Sequence, residues 1–295
     1  MISSPFTKLT LIFSALFSLL IIGLVSVSSV IDDRTKVVFC NVGQGDAAYI
    51  RIKNKVDILI DAGADQKILS CLGKYMPFYD RKIELVIISH PQKDHFGGFV
   101  NIIQRYQIEK LLLPAIDSSD RSFTALKNAV LNKKTAVILA QAGDHILINN
   151  VKLQFYWPTN SFLTKNLIND KPRQIAGKKL GASSLDANYF SLILMFEEGN
   201  FRVLFPGDAP ASILNKFTEK DKLKTTILKI PHHGSKNGLS KKFLQLANPS
   251  VAVISVGKNN PFGHPALAVL ETLQAMKIKI KRTDEEGDIV FKLNN

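Results

Sequence analysis

Two imidazoles and a carboxylate, His90, Asp94 and His95, fall in one short stretch, Ser89-His90-Pro91-Gln92-Lys93-Asp94-His95-Phe96-Gly97-Gly98. The apolar run Leu85-Val86-Ile87-Ile88 leads into it, and the closing glycine pair lets backbone approach closely. This is the pattern of a metal-binding loop at the end of a buried strand. Three distant stretches carry residue types that would complete the site: Gly207-Asp208, His232-His233-Gly234-Ser235 and Gly263-His264-Pro265. The chain must therefore fold so that four separated segments meet.

The hydrophobic pattern fits that demand. Val37–Cys40, Ala47–Ile52 and Val56–Ile60 read as strands with connections short enough for antiparallel neighbours. Further strands are expected over 85–88, 110–113, 136–140 and 151–157, with helices near 66–73, 96–106 and 122–131. Residues 158–186 break the rhythm: they are polar, carry Lys165, Lys171, Arg173, Lys178 and Lys179, and read as a long loop, either functional or a solvated insertion. Strands return over 189–196, 201–205, 225–230 and 251–256, with helices over 209–217, 239–246 and 266–276. Residues 277–281 and 288–292 read as a closing hairpin. Two such series, one per half, predict two facing sheets with helices outside, an α/β (α+β) sandwich.

With 295 residues, 46% of them hydrophobic, the chain can bury a substantial core, which excludes a disordered protein. The formal charge of +13 favours an anionic partner such as nucleic acid or an acidic membrane; a lysine-rich proteome would give the same balance. Cys40 and Cys71 form no CxxC pattern and read as two buried small residues. Residues 9–31 carry no charge and are long enough to span a bilayer as a helix. Residues 1–32 are accordingly read as a membrane segment, a retained anchor or a cleaved signal peptide ending near Ser26, Ser28 and Ser29. Residues 33–295 form the remaining domain. Lys8 ahead of the segment points to a cytoplasmic N-terminus and an extracytoplasmic domain, secreted if the segment is cleaved.

Five elements carry a resemblance to a known family. Asn41-Val42-Gly43-Gln44-Gly45-Asp46-Ala47, Leu59-Ile60-Asp61-Ala62-Gly63, Phe205-Pro206-Gly207-Asp208, Lys229-Ile230-Pro231-His232-His233-Gly234-Ser235 and Asn260-Pro261-Phe262-Gly263-His264-Pro265 occur in family order around the His90–His95 loop. In these the sequence resembles the metallo-β-lactamase superfamily, and within it the hydrolase domain of ComEC-like DNA-uptake proteins. The resemblance covers residues 37–292 and implies a four-layer αββα sandwich with its site between the sheet edges.

It also implies a ligand set. Imidazole and carboxylate suit one or two divalent ions, Zn²⁺ or Mn²⁺. Asp94 and His95 would bind one ion and His90 a neighbouring one, with Asp208 bridging. His264 and one or both of His232 and His233 would supply the remaining nitrogens, and the sequence does not distinguish that pair. Asp94, Asp208 and His233 are the expected catalytic residues. Asp61, Asn41, Gln92 and Asn188 are expected to support the ligands from behind, and Ser235, Lys236 and Lys93 to contact substrate phosphate. His145 lies apart from every motif and reads as structural.

Two positions depart from the family pattern His-x-His-x-Asp-His and its neighbours. Gln92 stands at a usual ligand position, which weakens or removes the ion served by His90, and Asn41 replaces an aspartate. The expected function is a phosphodiesterase or nuclease acting on DNA in competence. The channel of the full family proteins has no counterpart here, so transport would fall to a separate DNA-channel subunit. The alternatives are a degenerate, non-catalytic DNA-binding or surface protein, and a hydrolase of small esters or lactams.

Overall fold

The computed structural model describes residues 9–21 and 34–293. Residues 9–21 form a helix, α1, whose apolar side chains are exposed. Among the described residues no helix is long and apolar enough to cross a membrane. The rest of the expected membrane segment, residues 1–8 and 22–32, lies outside them.

The first half alternates β1 (Lys36–Phe39), β2 (Ala48–Ile52), β3 (Val56–Ile60), α2 (Ile68–Tyr75), β4 (Lys82–Ile87), α3 (Lys93–Phe96), α4 (Phe99–Arg105), β5 (Gln107–Leu113), α5 (Arg121–Asn132) and β6 (Ala136–Leu139). The second runs β7 (His145–Ile148), β8 (Val151–Trp157), α6 (Asn160–Asn166), β9 (Ile168–Ile175), β10 (Lys178–Ala182), β11 (Ile193–Glu198), β12 (Phe201–Phe205), α7 (Ala211–Leu214), α8 (Lys220–Leu223), β13 (Ile227–Lys229), α9 (Lys241–Ala247), β14 (Val251–Ile254), α10 (Leu267–Ala275) and β15 (Lys279–Arg282). A short α11 (Thr283–Glu286) then leads to β16 (Ile289–Lys292).

Two seven-stranded mixed sheets result, ordered β16-β1-β2-β3-β4-β5-β6 and β15-β14-β13-β12-β11-β8-β7. In each, four strands run parallel, β3 to β6 in one and β12 to β15 in the other. Side-chain alternation along each strand sends one face inward and one outward. The inward faces meet in a core including Phe39, Ile50, Ile58, Ile87, Leu153, Phe196 and Phe205. Phe39 of one sheet stacks on Phe205 of the other, ring centroids 5.7 Å apart. Each such side chain contributes about 1.5–3 kcal/mol through burial. The outward faces pack under helices, the first with residues of α2, α4 and α5, the second with residues of α7, α9 and α10. The chain is thus an α/β sandwich with helices outside both sheets.

Three sequence expectations are corrected. β15 and β16 do not form a hairpin: β15 pairs with β14, while β16 crosses to β1 in the opposite sheet. α11 occupies the connection, and an apolar alternation does not say which sheet edge receives a strand. Residues 158–186 are not one long loop but α6 followed by the β9–β10 hairpin. Ala176 and Gly177 turn it with φ of 43° and 81°, the two-residue geometry hairpins favour. Ile175 and Leu180 anchor it in the first outer core. Finally, Cys40 and Cys71 form a disulfide, with Cα atoms 5.8 Å apart, tying the end of β1 to α2. Their separation of 31 residues follows no local motif, so only the packing of α2 on its sheet brings them together.

Candidate metal centre

The site lies where the loops after β3, β4, β12 and β13 meet. After β3 the backbone turns sharply: Asp61 has φ of 57°, a left-handed conformation costly for a residue with a Cβ. The turn holds its carboxylate under the next loop, where Oδ1 accepts from the Ser89 amide (2.7 Å) and Oδ2 from the Ser89 hydroxyl (2.6 Å). The same Oδ2 lies 2.8 Å from Nδ1 of His95. Close packing elsewhere in the loops depends on glycine. A Cβ on Gly45 would sit 2.3 Å from the Asp94 carbonyl oxygen, and that carbonyl accepts from the Asp46 amide at 3.1 Å.

With Nδ1 of His95 engaged, its Nε2 points into the cluster, 3.3 Å from Asp208 Oδ2 and 4.0 Å from Asp94 Oδ2. His233 adds its Nε2 at 3.2 Å from Asp94 Oδ2 and 3.5 Å from Asp208 Oδ2. Its Nδ1 faces the Ser255 carbonyl (3.0 Å) and Asp46 (3.2 Å). Asp94, His95, Asp208 and His233 thus offer ligand atoms all within 4.8 Å of one another. Both members of the His232-His233 pair take left-handed φ, 51° and 52°, and this kink directs the two rings differently. His233 is buried, whereas His232 is half-exposed with Nε2 3.9 Å from Asp208 Oδ2. The pair that the sequence left open is separated by the tertiary structure.

His90 is fully buried and its ring centroid is 4.1 Å from that of His95. Burial and the neighbouring His95 push its imidazole down to about 4, so it is neutral. Its Nδ1 lies 3.1 Å from the Ser89 hydroxyl, and its Nε2 has no hydrogen-bond partner. Gln92 points elsewhere: its amide donates to Asp186 at 3.2 Å. Asn188 is buried on the short turn after Asp186, with its Oδ1 unpartnered. Three residues on, Ser191 Oγ accepts from the Asp208 amide at 3.2 Å. His264 lies beside His232 (centroids 5.9 Å apart) and outside the four-residue cluster. Asn41 is exposed and accepts from the Gly43 amide within its own loop. Ser235 is half-buried next to the histidine pair, while Lys236 and Lys93 are exposed. His145 is exposed on the edge strand β7.

Two residues of the site received no role from the sequence. Lys229, at the end of β13, is only 4% exposed; its ammonium pairs with Asp46 and lies 3.4 Å from Asp208 Oδ1. Burial opposes its charge, but Asp46 and Asp208 outweigh burial and raise its pKa. Burial likewise opposes the Asp208 charge, and His95, His233 and Lys229 hold that carboxyl well below the usual range. A signal for Lys229 existed: a lysine interrupts the apolar run Ile227-Leu228-Lys229-Ile230. For Asp46 the signal was its place in the glycine-flanked element Asn41-Val42-Gly43-Gln44-Gly45-Asp46-Ala47.

The donor set fits a divalent cation. His95 Nε2 is buried, without a hydrogen-bond partner, and directed at two carboxylates. Asp61 behind Nδ1 is the carboxylate–histidine support common at metal ligands. No thiol is present, because both cysteines are bonded to each other.

The overall fold recurs in solved structures. The metallo-β-lactamase fold protein YhfI from Bacillus subtilis superposes with a TM-score of 0.55 at 12% identity, covering 88% of this chain and all of that one. The chain has the metallo-β-lactamase fold. Among sequences, ComE operon protein 3 of Bacillus subtilis is 26% identical over 276 residues, 86% of this chain and 32% of that protein. Recombination protein 2 of Haemophilus influenzae is 28% identical over 253 residues, 84% of this chain and 28% of that protein. Competence protein ComA of Neisseria gonorrhoeae is 24% identical over 285 residues, 93% of this chain and 35% of that protein, so this metallo-β-lactamase-fold chain is a distant homologue of these proteins and spans about a third of their length. No protein-family model matches it.

Proposed function

We propose that this chain is a metal-dependent phosphodiesterase acting on DNA. The observation that carries the reading is the convergence of Asp94, His95, Asp208 and His233 within 4.8 Å. The net charge of +13 and the distant relation to proteins named for competence and recombination support nucleic acid as substrate. The Cys40–Cys71 disulfide supports an oxidising, extracytoplasmic location, with residues 1–32 as the membrane segment. A separate DNA-channel subunit is a partner consistent with that place.

Asp94, His95, Asp208 and His233 would hold a Zn²⁺ or Mn²⁺ ion, which would supply Lewis acidity and lower the pKa of a bound water. The chain's own groups do the rest. Asp61 fixes His95 with Nε2 toward the cluster, and the Ser255 carbonyl does the same for His233. Lys229 offsets the charge of Asp46 and Asp208. Asp94, whose side chain is 33% exposed, is the member of the cluster open to solvent; burial opposes its charge, but His95 and His233 hold its carboxyl well below the usual range, so it would stay ionised and orient the attacking water by accepting its hydrogen bond. Ser235, Lys236 and Lys93 flank the cluster in the chain and are available to phosphate oxygens. Since the Gln92 amide is committed to Asp186, one ion is the expected load, and His90 with its free Nε2 marks a weaker second position.

The full chain loaded with Mn²⁺ or Zn²⁺ should cut DNA, and Asp94→Ala and Asp208→Ala should each lower the rate by roughly two to three orders of magnitude. Cleavage that survives both changes, with no ion found by elemental analysis, refutes the assignment. The Gln92–Asp186 contact favours one competing reading, a DNA-binding protein without catalysis. Salt-sensitive DNA binding with a bound ion and no cutting would establish that reading instead.

A further inference from the structure

Beside the cluster a second device stands at its mouth. Three rings lead outward from Asp208: His232, with Nε2 3.9 Å from that carboxylate; His264, 5.9 Å from His232 between centroids; and Phe262, stacked on His264 at 5.8 Å with planes 27° apart. Phe262 is 64% exposed. A single exposed apolar side chain usually means little. This one is held in place by a rigid loop. The Asn260 side chain donates to the carbonyls of Gly257 (3.0 Å) and His264 (2.6 Å) and accepts from the amides of Phe262 (3.2 Å) and His264 (3.0 Å). The Gly257 amide in turn donates to Gln44 Oε1 at 3.1 Å, joining this loop to the one that carries Asp46. The loop thus spends four bonds from one side chain to present a phenyl face to solvent next to the candidate centre.

We propose that Phe262, backed by His264, is a stacking platform for an unstacked nucleobase, so that the substrate is single-stranded nucleic acid. This rests on the phosphodiesterase reading and sharpens it. In a duplex both faces of every internal base are covered by neighbours, so a flat exposed ring gains nothing from it. In a single strand every base has a free π-face, and stacking on an aromatic side chain is sequence-tolerant. The base on Phe262 would hold an adjacent phosphodiester over the cluster two rings away, with exposed Lys258 and Lys236 in the flanking segments to meet the backbone charge.

The test is fluorescence-anisotropy binding of the full chain in chelator, so that nothing is cut, to a labelled oligothymidylate, an oligouridylate, a duplex and an abasic strand of equal length. Cleavage of the same strands is followed in Mn²⁺. Wild type should prefer the base-bearing single strands, and Phe262→Ala should weaken them roughly five- to hundredfold while leaving the abasic strand unchanged. Phe262→Tyr should retain the preference, and the thymidylate and uridylate arms decide between DNA and RNA. If Phe262→Ala leaves the ratio of thymidylate to abasic binding unchanged while metal-dependent cleavage persists, the platform is wrong and the phosphodiesterase stands. If base-specific binding is present but no strand is cut, the platform stands and the hydrolase reading falls. Failure of wild type to bind or cut any strand overturns both.

Discussion

Replacing Lys229 by methionine keeps the apolar stem and removes one charge from the centre of the site. The ammonium pairs with Asp46 and approaches Asp208 Oδ1 at 3.4 Å, and all three side chains are buried, at 4%, 7% and 1% exposure. Removing one partner of a buried pair leaves the other charge unsolvated, which costs about 3–5 kcal/mol. For a domain of this size each kcal/mol shifts Tm by about 2–4 °C, so the metal-free variant should melt roughly 10 °C lower. The deficit should shrink with a divalent ion present, because the cation compensates Asp208. Asp46→Asn in the same background should restore most of the loss, and the double-mutant cycle should return a coupling of about 2 kcal/mol or more. Urea denaturation of the metal-free protein in chelator, and separately of the protein in Mn²⁺ without chelator, measures both. A Lys229→Met variant within about 1 kcal/mol of wild type, additive with Asp46→Asn, would refute the view that this lysine neutralises the site.

Other outcomes follow from the same geometry. Reducing the Cys40–Cys71 bond, or Cys40→Ser with Cys71→Ser, should cost roughly 3–4 kcal/mol for a loop of 31 residues; thiol titration of the unreduced, denatured protein should find neither thiol free. Metal uptake should release protons. Burial opposes the charge of His95 and His233, but Asp208 and the neighbouring carboxylates outweigh it, holding His95 well above its ordinary value and His233 at about 9. Both rings must shed their protons to bind an ion, so affinity should weaken as pH falls below about 9, and calorimetric heats should depend on the buffer. Buffer-independent heats would mean that other groups bind the ion. Gln92→Asp should raise the metal content from one ion per chain toward two, using the free Nε2 of His90; an unchanged content would show that the contact with Asp186 is not what limits the second position.

Much of this chain is legible from local pattern, because a strand or helix that buries one face must write that burial into its sequence at period 2 or 3.6. The strands ending before Asp61, Ser89, Gly207 and Pro231 were readable in this way, as were the polar loops that follow them. The stretch from His90 to His95 announces a cation on its own chemistry, and the family resemblance pointed to its distant partners. What periodicity encodes is that a face is buried, not against what. Only the tertiary structure sent β16 across to β1, joined Cys40 to Cys71, folded 168–182 into a hairpin on an outer core and chose His233 over His232 for the cluster. The pairing of Lys229 with Asp46 belongs to the same class. Each depends on contacts between segments far apart in the chain, where the deciding quantity is which charges and surfaces are removed from water together, and no window of sequence contains both partners.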